Sequence, residues 1–416
     1  MWTSLRVGYL LGIRQIQRAS IWTTLLIIFI MMLTFLNLVG VSGVLVGLIE
    51  GSVAANRNQY MGNVFISTPS GDPYIKDTNS IIQTLGNIKE VKDFSPRYIE
   101  RATVEANYKT RRDQNELRDS VGSSVAGINV IKEDSVTGLS RYLVEGEYLN
   151  SNDTGYVLIG AKLLQKYAAD FGEGFSTLEE IYPGVKVRIS SGEKTKEYIV
   201  KGIVDSKVNE TSLRVFMVEG EFVRFFDRYN LNVNEIAVVA KDGISEDVLK
   251  NIIVKSSDSR GFAKIQTAEE AIPQFLSDMK IAFNILGNII GGIGIVVASI
   301  TIFIIIFINA ITRRKYIGIL KAIGIKAGSI QFAYVLQSIF YASLGSATGV
   351  AILYGLLVPI VAKNPINFPF SDGILVAPID DVMIKVTVLM IVTIIAGFIP
   401  AWMIIRKNTL DSILGR

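Results

Sequence analysis

The segment IAFNILGNIIGGIGIVVASITIFIIIFINAIT, residues 281–312, contains no Asp, Glu, Lys or Arg. It runs directly into RRKYIGILKAIGIK, residues 313–326, which has five basic residues and no acid. About 20 helical residues cross a hydrocarbon core ~30 Å thick, so the first segment is long enough to span. The bases behind it mark the cytoplasmic end of that span.

Three further stretches lack all four charged residue types: Ala19–Ile49, Ala327–Ala362 and Val386–Ile405, of 31, 36 and 20 residues. Each reaches spanning length. The first far exceeds the ~7–15 apolar residues of a cleavable leader and reads as a retained helix. Half of the sequence is apolar and its mean hydropathy is +0.39.

Basic residues close to the spans orient them. Arg6, Arg14 and Arg18 precede the first span with no acid, and Arg406, Lys407 and Arg416 follow the last against Asp411. With the 313–326 turn these cytoplasmic segments carry a net +10. The insertion of residues 50–280, with 29 bases and 34 acids, carries −5 and the 363–385 loop −1, which closes on the net +4 of the chain. The fold class expected is an α-helical membrane protein with four transmembrane helices and a mixed α/β extracytoplasmic domain inserted between the first and second spans. Its layout is a cytoplasmic segment 1–18, spans 19–49, 281–312, 327–362 and 386–405, outer regions 50–280 and 363–385, a cytoplasmic turn 313–326 and a cytoplasmic tail 406–416.

The insertion has 231 residues, enough to bury its own core. Alternating or β-rich runs predict strands at Asn63–Thr68, Val185–Ile189, Glu197–Val204, Glu235–Val239 and Phe262–Gln266, with a hairpin turn around Ser190-Ser191-Gly192. Helical patterns fall at Ser80–Gly86, Ala161–Tyr167, Gly220–Phe226 and Glu246–Ile253. Tyr108–Ser124, polar and poor in large aliphatics, is expected as an exposed loop. Thr267-Ala268-Glu269-Glu270 has the S/T-x-x-E pattern of a helix start, with Pro273 close behind. A helix from Pro273 to Thr312 would be ~60 Å long, about twice the hydrocarbon core, so part of it should stand outside as a stalk. The over-long first span, running into Glu50–Tyr60, suggests a second stalk.

Cysteine and histidine are both absent, which excludes disulfides, thiolate or imidazole metal ligands, and Ser-His-Asp or Cys-His catalysis. The spans lack the buried charges that ion-coupled carriers need. Gly43 and Gly47, Gly287 and Gly291, and Gly345 and Gly349 each match G-x-x-x-G, a spacing that permits close helix approach. The run Gly291-Gly292-Ile293-Gly294 marks a flexible point of the second span.

In the turn, the basic start, the helical spacing of Ile319 and Ile323, and the closing Gly324 indicate a short amphipathic helix. Read as Arg313-Arg314-Lys315-Tyr316-Ile317-Gly318-Ile319-Leu320-Lys321-Ala322-Ile323-Gly324, it resembles the E-R-x-R-E-I-G-I-L-R-A-L-G-A turn of the FtsX-like/MacB-type ABC transporter permease family (type VII), which includes MacB, LolC, LolE and FtsX. Thr312 and Tyr316 stand where that family commonly has glutamates, which leaves the acids' polar contacts without a counterpart. The tail from Pro400-Ala401 to Leu414 is similar to the family's closing P-A-x-x-A-x-x-x-D-P-x-E-A-L, with Thr409 in place of proline. In the insertion, Leu158–Leu164 and Val200–Val204 are similar to the family's I-x-I-G-x-x-L-A and V-x-G-I segments.

The resemblance implies a permease subunit in a bacterial cytoplasmic (inner) membrane. It would pair with a second permease copy or paralogue and bind a dimer of cytoplasmic ABC ATPase subunits. The implied ATPase-coupling residues are Arg313, Arg314, Lys315, Tyr316, Ile317, Leu320, Lys321, Ile323 and Gly324. No cofactor is expected in this chain; ATP and magnesium belong to the partner, because these residues contain no G-x-x-x-x-G-K-[ST] loop. The function implied is export or extraction of a lipid-linked, peptide or drug-like substrate, with a periplasmic adaptor or lipoprotein and membrane lipids as further partners and no nucleic acid. The alternative is an FtsX-like signalling module that activates a cell-wall hydrolase without transport.

Overall fold

The computed structural model describes residues 2–109, 118–168, 176–256, 262–364, 366–368, 371–373 and 375–406. The chain divides into two compact units, one of Met1–Ile49, Asp278–Ile366 and Gly373–Arg416, the other of Glu50–Ser277 and Asn367–Asp372.

The chain begins with α1 (Trp2–Gln17) and α2 (Ile21–Asn56), followed by a π-turn at Arg57–Met61. The insertion follows as β1 (Val64–Ser67), α3 (Thr78–Asn87), β2 (Val91–Glu105), β3 (Ser120–Ile128), α4 (Val130–Thr137), β4 (Leu143–Gly146), β5 (Tyr156–Gly160), β6 (Lys186–Ser191), β7 (Lys194–Val204), α5 (Asn209–Ser212), β8 (Arg214–Val218), α6 (Glu219–Phe226), β9 (Glu235–Ala240), α7 (Glu246–Ser256), β10 (Lys264–Thr267) and α8 (Ala268–Ala271). The membrane unit resumes with α9 (Gln274–Thr312), α10 (Arg314–Ala322), α11 (Ala327–Ile352), a π-turn at Leu353–Leu357, α12 (Val358–Lys363), β11 (Ile366–Phe368), β12 (Ser371–Gly373) and α13 (Ile379–Ile405).

Four helical segments, Ile21–Met61, Gln274–Thr312, Ala327–Lys363 and Ile379–Ile405, are long and apolar enough to cross a membrane. Glycine notches order them. Met31 and Phe35 of α2 fill the space that Cβ atoms on Gly345 and Gly349 of α11 would take. A Cβ on Gly287 of α9 would lie 3.2 Å from Ser42 of α2, and one on Gly291 would lie 2.8 Å from Leu38. Numbering rises together along α2 and α11 and in opposition along α2 and α9, so the consecutive spans α2, α9 and α11 alternate in direction as the charge pattern requires. Gly43 instead meets the stretch before α13, where its carbonyl accepts from the Val376 amide at 3.1 Å, and Gly47 is buried. Helix α9 continues unbroken through the Gly291–Gly294 run, about 58 Å in all at 1.5 Å per residue.

Helix α13 begins at Ile379 rather than at Val386. Its first turn takes Asp380 and Asp381, which the helix N-terminus favours, and Lys385 donates to Asp381 at 2.6 Å and to Ser42. The N-terminal segment is itself a helix. Gly8 and Gly12 seat α1 on Ser329, Phe332, Ala333 and Leu336 of α11.

In the extracytoplasmic unit, the fifteen-residue strand β2 belongs to two layers. Its first half pairs antiparallel with β9, which continues through β1 to β10. Its second half pairs with β3 on one side and β6 on the other, and the ladder β2-β3-β8-β5-β7-β6 returns to β2. Ring closure leaves these strands without free edges. Inward residues such as Val104, Val125, Val157, Ile189, Tyr198 and Val215 form one core with Ile81 and Leu85 of α3, Phe222 of α6, and Leu249 and Ile253 of α7.

The strands expected at 63–68, 185–189, 197–204, 235–239 and 262–266 are present with ends within three residues, as is the β6–β7 hairpin, with Gly192 at φ 58°. Two expectations need correction. Ala161–Tyr167 forms two 3-10 turns separated by extended Leu164, not a helix. Ser120–Ser124 is not loop but the start of β3, where Ser123 is buried and donates to the Leu213 carbonyl at 2.9 Å. Residues 110–117 of that segment lie outside the described residues.

Thr267 and Glu270 form the expected capping box, but it closes only the one-turn helix α8. Proline cannot donate to the previous turn, and α9 starts afresh after Pro273.

Candidate coupling face and the anchored end of helix α2

Helix α10 is short because its chain chemistry stops it at both ends. It starts directly behind α9, with Arg313 as its flanking residue. It ends in a Schellman motif: the Ile325 amide donates to the Leu320 carbonyl at 3.0 Å and the Gly324 amide to that of Lys321 at 3.1 Å. Gly324 takes φ 89°, a conformation glycine adopts without a Cβ penalty.

The helix has two faces. Ile317 is 3% exposed and joins the apolar core of the membrane unit, where Leu320 packs half-buried beside it. Lys321 donates to the Ile405 carbonyl at 2.9 Å, one of the last carbonyls of α13, a position that suits a cation. Gly318 is buried, and Arg313 and Arg314 are half-buried. The opposite face is exposed and apolar: Tyr316, Ile319 and Ile323, spaced three and four residues apart, with Lys315 beside them. The implied coupling residues are therefore brought onto one element but divided between its two sides, and Leu320 belongs mainly to the inner one. The sequence pattern contains the outer stripe, Tyr316 and Ile319 ahead of Ile323, but not which side the membrane unit covers.

Within the extracytoplasmic unit, the π-turn that closes α2 is held by buried charges. Arg97 of β2 donates to Glu133 of α4 through Nε at 2.8 Å and Nη2 at 2.9 Å, and to the Tyr60 carbonyl at 2.6 Å. Ser95 donates to the same carboxylate at 2.7 Å. The Tyr60 hydroxyl donates to Glu235 at 2.7 Å, with Arg214 3.4 Å from that carboxylate. Burial opposes the charge on Arg97, yet the paired Glu133 carboxylate holds its pKa above the ordinary arginine value.

Residues 288–409 match the family model described as FtsX-like permease C-terminal. The match contains α10 and the whole basic turn, and it reaches into the tail, whose residues 407–416 lie outside the described residues. The chain has multi-pass topology, with four apolar helices flanking a large mixed α/β extracytoplasmic domain, and the matched segment is permease-like.

Among solved structures, the chain is similar to the periplasmic region of MacB from Actinobacillus actinomycetemcomitans, at 15% identity and TM-score 0.36, over 52% of this chain and 94% of that one. It is also similar to the extracellular domain of the noncanonic ABC-type transporter YknZ from Gram-positive bacteria, at 13% identity and TM-score 0.31, over 49% and 98%. A comparison with curated proteins gave no match.

Proposed function

We propose that this chain is the permease subunit of a MacB/LolC-type ABC transporter, driven by a separate cytoplasmic ATPase. The ATPase docks on the outer face of α10, and its motion passes along α2 and α9 to the extracytoplasmic domain, which exports or extracts a lipid-linked, peptide or drug-like substrate. The single observation that carries this reading is the exposed Tyr316–Ile319–Ile323 stripe on a helix whose other side is fixed to the membrane unit. An apolar helical face rimmed by bases is suited to a groove in a partner. The long helix α9 gives the motion a continuous path. The chain itself hydrolyses no ATP.

The test is affinity capture of the full-length chain from its native membrane. An ABC ATPase should co-purify, and its ATP turnover should change when the permease is present. Recovery of the permease without any ATPase would overturn the reading.

A further inference from the structure

Where α1, α10 and α11 meet, the membrane unit contains a cavity of about 510 Å³. Arg14 of α1, Arg18 just after it and Arg313 line it, with Ile317 and Leu320 as apolar wall and Tyr316 and Ile319 of the outer stripe at its mouth, and no carboxylate is among the lining residues. Neither residues 1–18 nor residues 313–326 contain an acid. Among the described residues, three guanidiniums thus face one cleft, Arg14 and Arg18 with exposed side chains, and no carboxylate lines it.

A second observation is independent of charge. Tyr334, 1% exposed, lines the same cavity, and its hydroxyl has no hydrogen-bond partner. Gln15, also lining it, has an unpartnered buried Oε1. A buried polar group left unpaired costs about 1–3 kcal/mol. An acceptor placed in the cavity would satisfy Tyr334, and a glycerol hydroxyl would satisfy Gln15.

The depth of the site is set by the sequence. Arg18 stands immediately before the first uncharged stretch and Arg313 immediately after the second, at the level where lipid phosphates lie. Basic pockets between helices on the cytoplasmic side recognise anionic headgroups.

We propose that this cavity holds the phosphodiester headgroup of an anionic phospholipid from the cytoplasmic leaflet. The guanidiniums and the Tyr334 hydroxyl donate to its phosphate oxygens, and Ile317 and Leu320 cover the start of its acyl chains. A soluble phosphate ester would meet the same donors but leave the apolar wall bare. The variants that test the site, at Arg14, Arg18 and Tyr334, lie outside α10 and its docking stripe, so their outcome is separable from that of ATPase docking.

The test is native mass spectrometry of the full-length chain in detergent, titrated separately with phosphatidylglycerol, phosphatidylcholine and glycerol 3-phosphate. The wild type should retain one phosphatidylglycerol in clear preference to phosphatidylcholine. The Arg14→Gln, Arg18→Gln double variant should lose that preference by about tenfold or more. Tyr334→Phe, which keeps the ring, should lose about fivefold, and it decides the matter alone if the double variant fails to insert. Arg406→Gln, a cytoplasmic base outside the cavity, should change nothing. Equal retention of the two lipids by the wild type would overturn the proposal. So would an undiminished preference in Tyr334→Phe and the double variant, or displacement of the lipid by equimolar glycerol 3-phosphate.

Discussion

The Arg97 guanidinium donates to the backbone carbonyl of Tyr60 at 2.6 Å and lies 4.9 Å from the centre of the Tyr60 ring. The same side chain grips Glu133 through two bonds, so one residue of β2 ties the π-turn after α2 to α4. Removing one member of a buried ion pair leaves the other charge uncompensated. Glu133→Gln should therefore destabilise the extracytoplasmic unit by about 3 kcal/mol. Thermal unfolding of the full-length chain in detergent would register this as a lower midpoint, and an unchanged midpoint would contradict the role given to the pair.

A second pair gives a pH dependence. Asp153 accepts from the Asn150 amide at 2.8 Å and from Lys201 at 2.6 Å. Burial alone would raise its pKa, but these two donors outweigh it and leave the pKa below the ordinary aspartate value of 3.8. A lowered folded-state value means the unfolded chain binds the proton more readily. The stabilisation is thus complete above pH 3.8 and disappears as pH falls through the lowered value. Asp153→Asn should cost about 1–2 kcal/mol at neutral pH and make the acid limb of the stability profile shallower. Urea unfolding at pH 7 and at pH 3 checks both parts.

Glycine notches make the packing of the spans testable. A Cβ on Gly349 would enter the space of the Phe35 ring, whereas Gly292 has open space around its would-be Cβ. Gly349→Ala should cost about 1–3 kcal/mol through overpacking, and Gly292→Ala should be silent or mildly stabilising. Equal behaviour of the two variants in a detergent thermal-shift assay would argue against the α2–α11 contact.

The membrane half was legible because uncharged runs and flanking bases report directly on the bilayer. The extracytoplasmic half was legible only where strands alternate cleanly. Strand β2, VKDFSPRYIERATVE, escaped because charged residues occupy buried positions in it: Arg97 is satisfied by Glu133, and Glu105 by Arg188. A hydropathy pattern cannot tell a paired buried charge from a solvated one. Strand β3 escaped because its Ser and Gly residues pack through backbone and hydroxyl contacts, as Ser123 does with Leu213. In the turn, the periodicity indicated a helix, but only the contacts of Ile317 and Lys321 with the membrane unit determine which face is free.

Orientation can be read with single cysteines, since the chain has none of its own. Ser123, buried in β3, would make a poor probe, whereas Glu193 in the β6–β7 turn and Asn364 after α12 are exposed. Glu193→Cys and Asn364→Cys should react with an impermeant thiol reagent in spheroplasts, and Lys326→Cys, exposed at the start of α11, should react only after the membrane is opened. External labelling at position 326 would reverse the topology.

The faces of α10 separate docking from folding. Ile319 and Ile323 are 43% and 69% exposed, while Leu320 packs against the membrane core. If the outer stripe enters a groove on the ATPase, truncating one anchor should cost about 2 kcal/mol of binding. That is about thirtyfold in affinity at 1.4 kcal/mol per decade. Ile319→Ala and Ile323→Ala should therefore each weaken capture of the ATPase while leaving the permease's thermal midpoint in place. Leu320→Ala should do the reverse, lowering the midpoint through a partial cavity and changing capture little. Lys315, at the rim, should influence capture modestly and less as salt is raised. Pull-down at low and high salt, paired with a thermal shift for each variant, resolves these outcomes. Full ATPase recovery by an Ile319→Ala, Ile323→Ala chain that inserts normally would rule out this face as the principal docking surface.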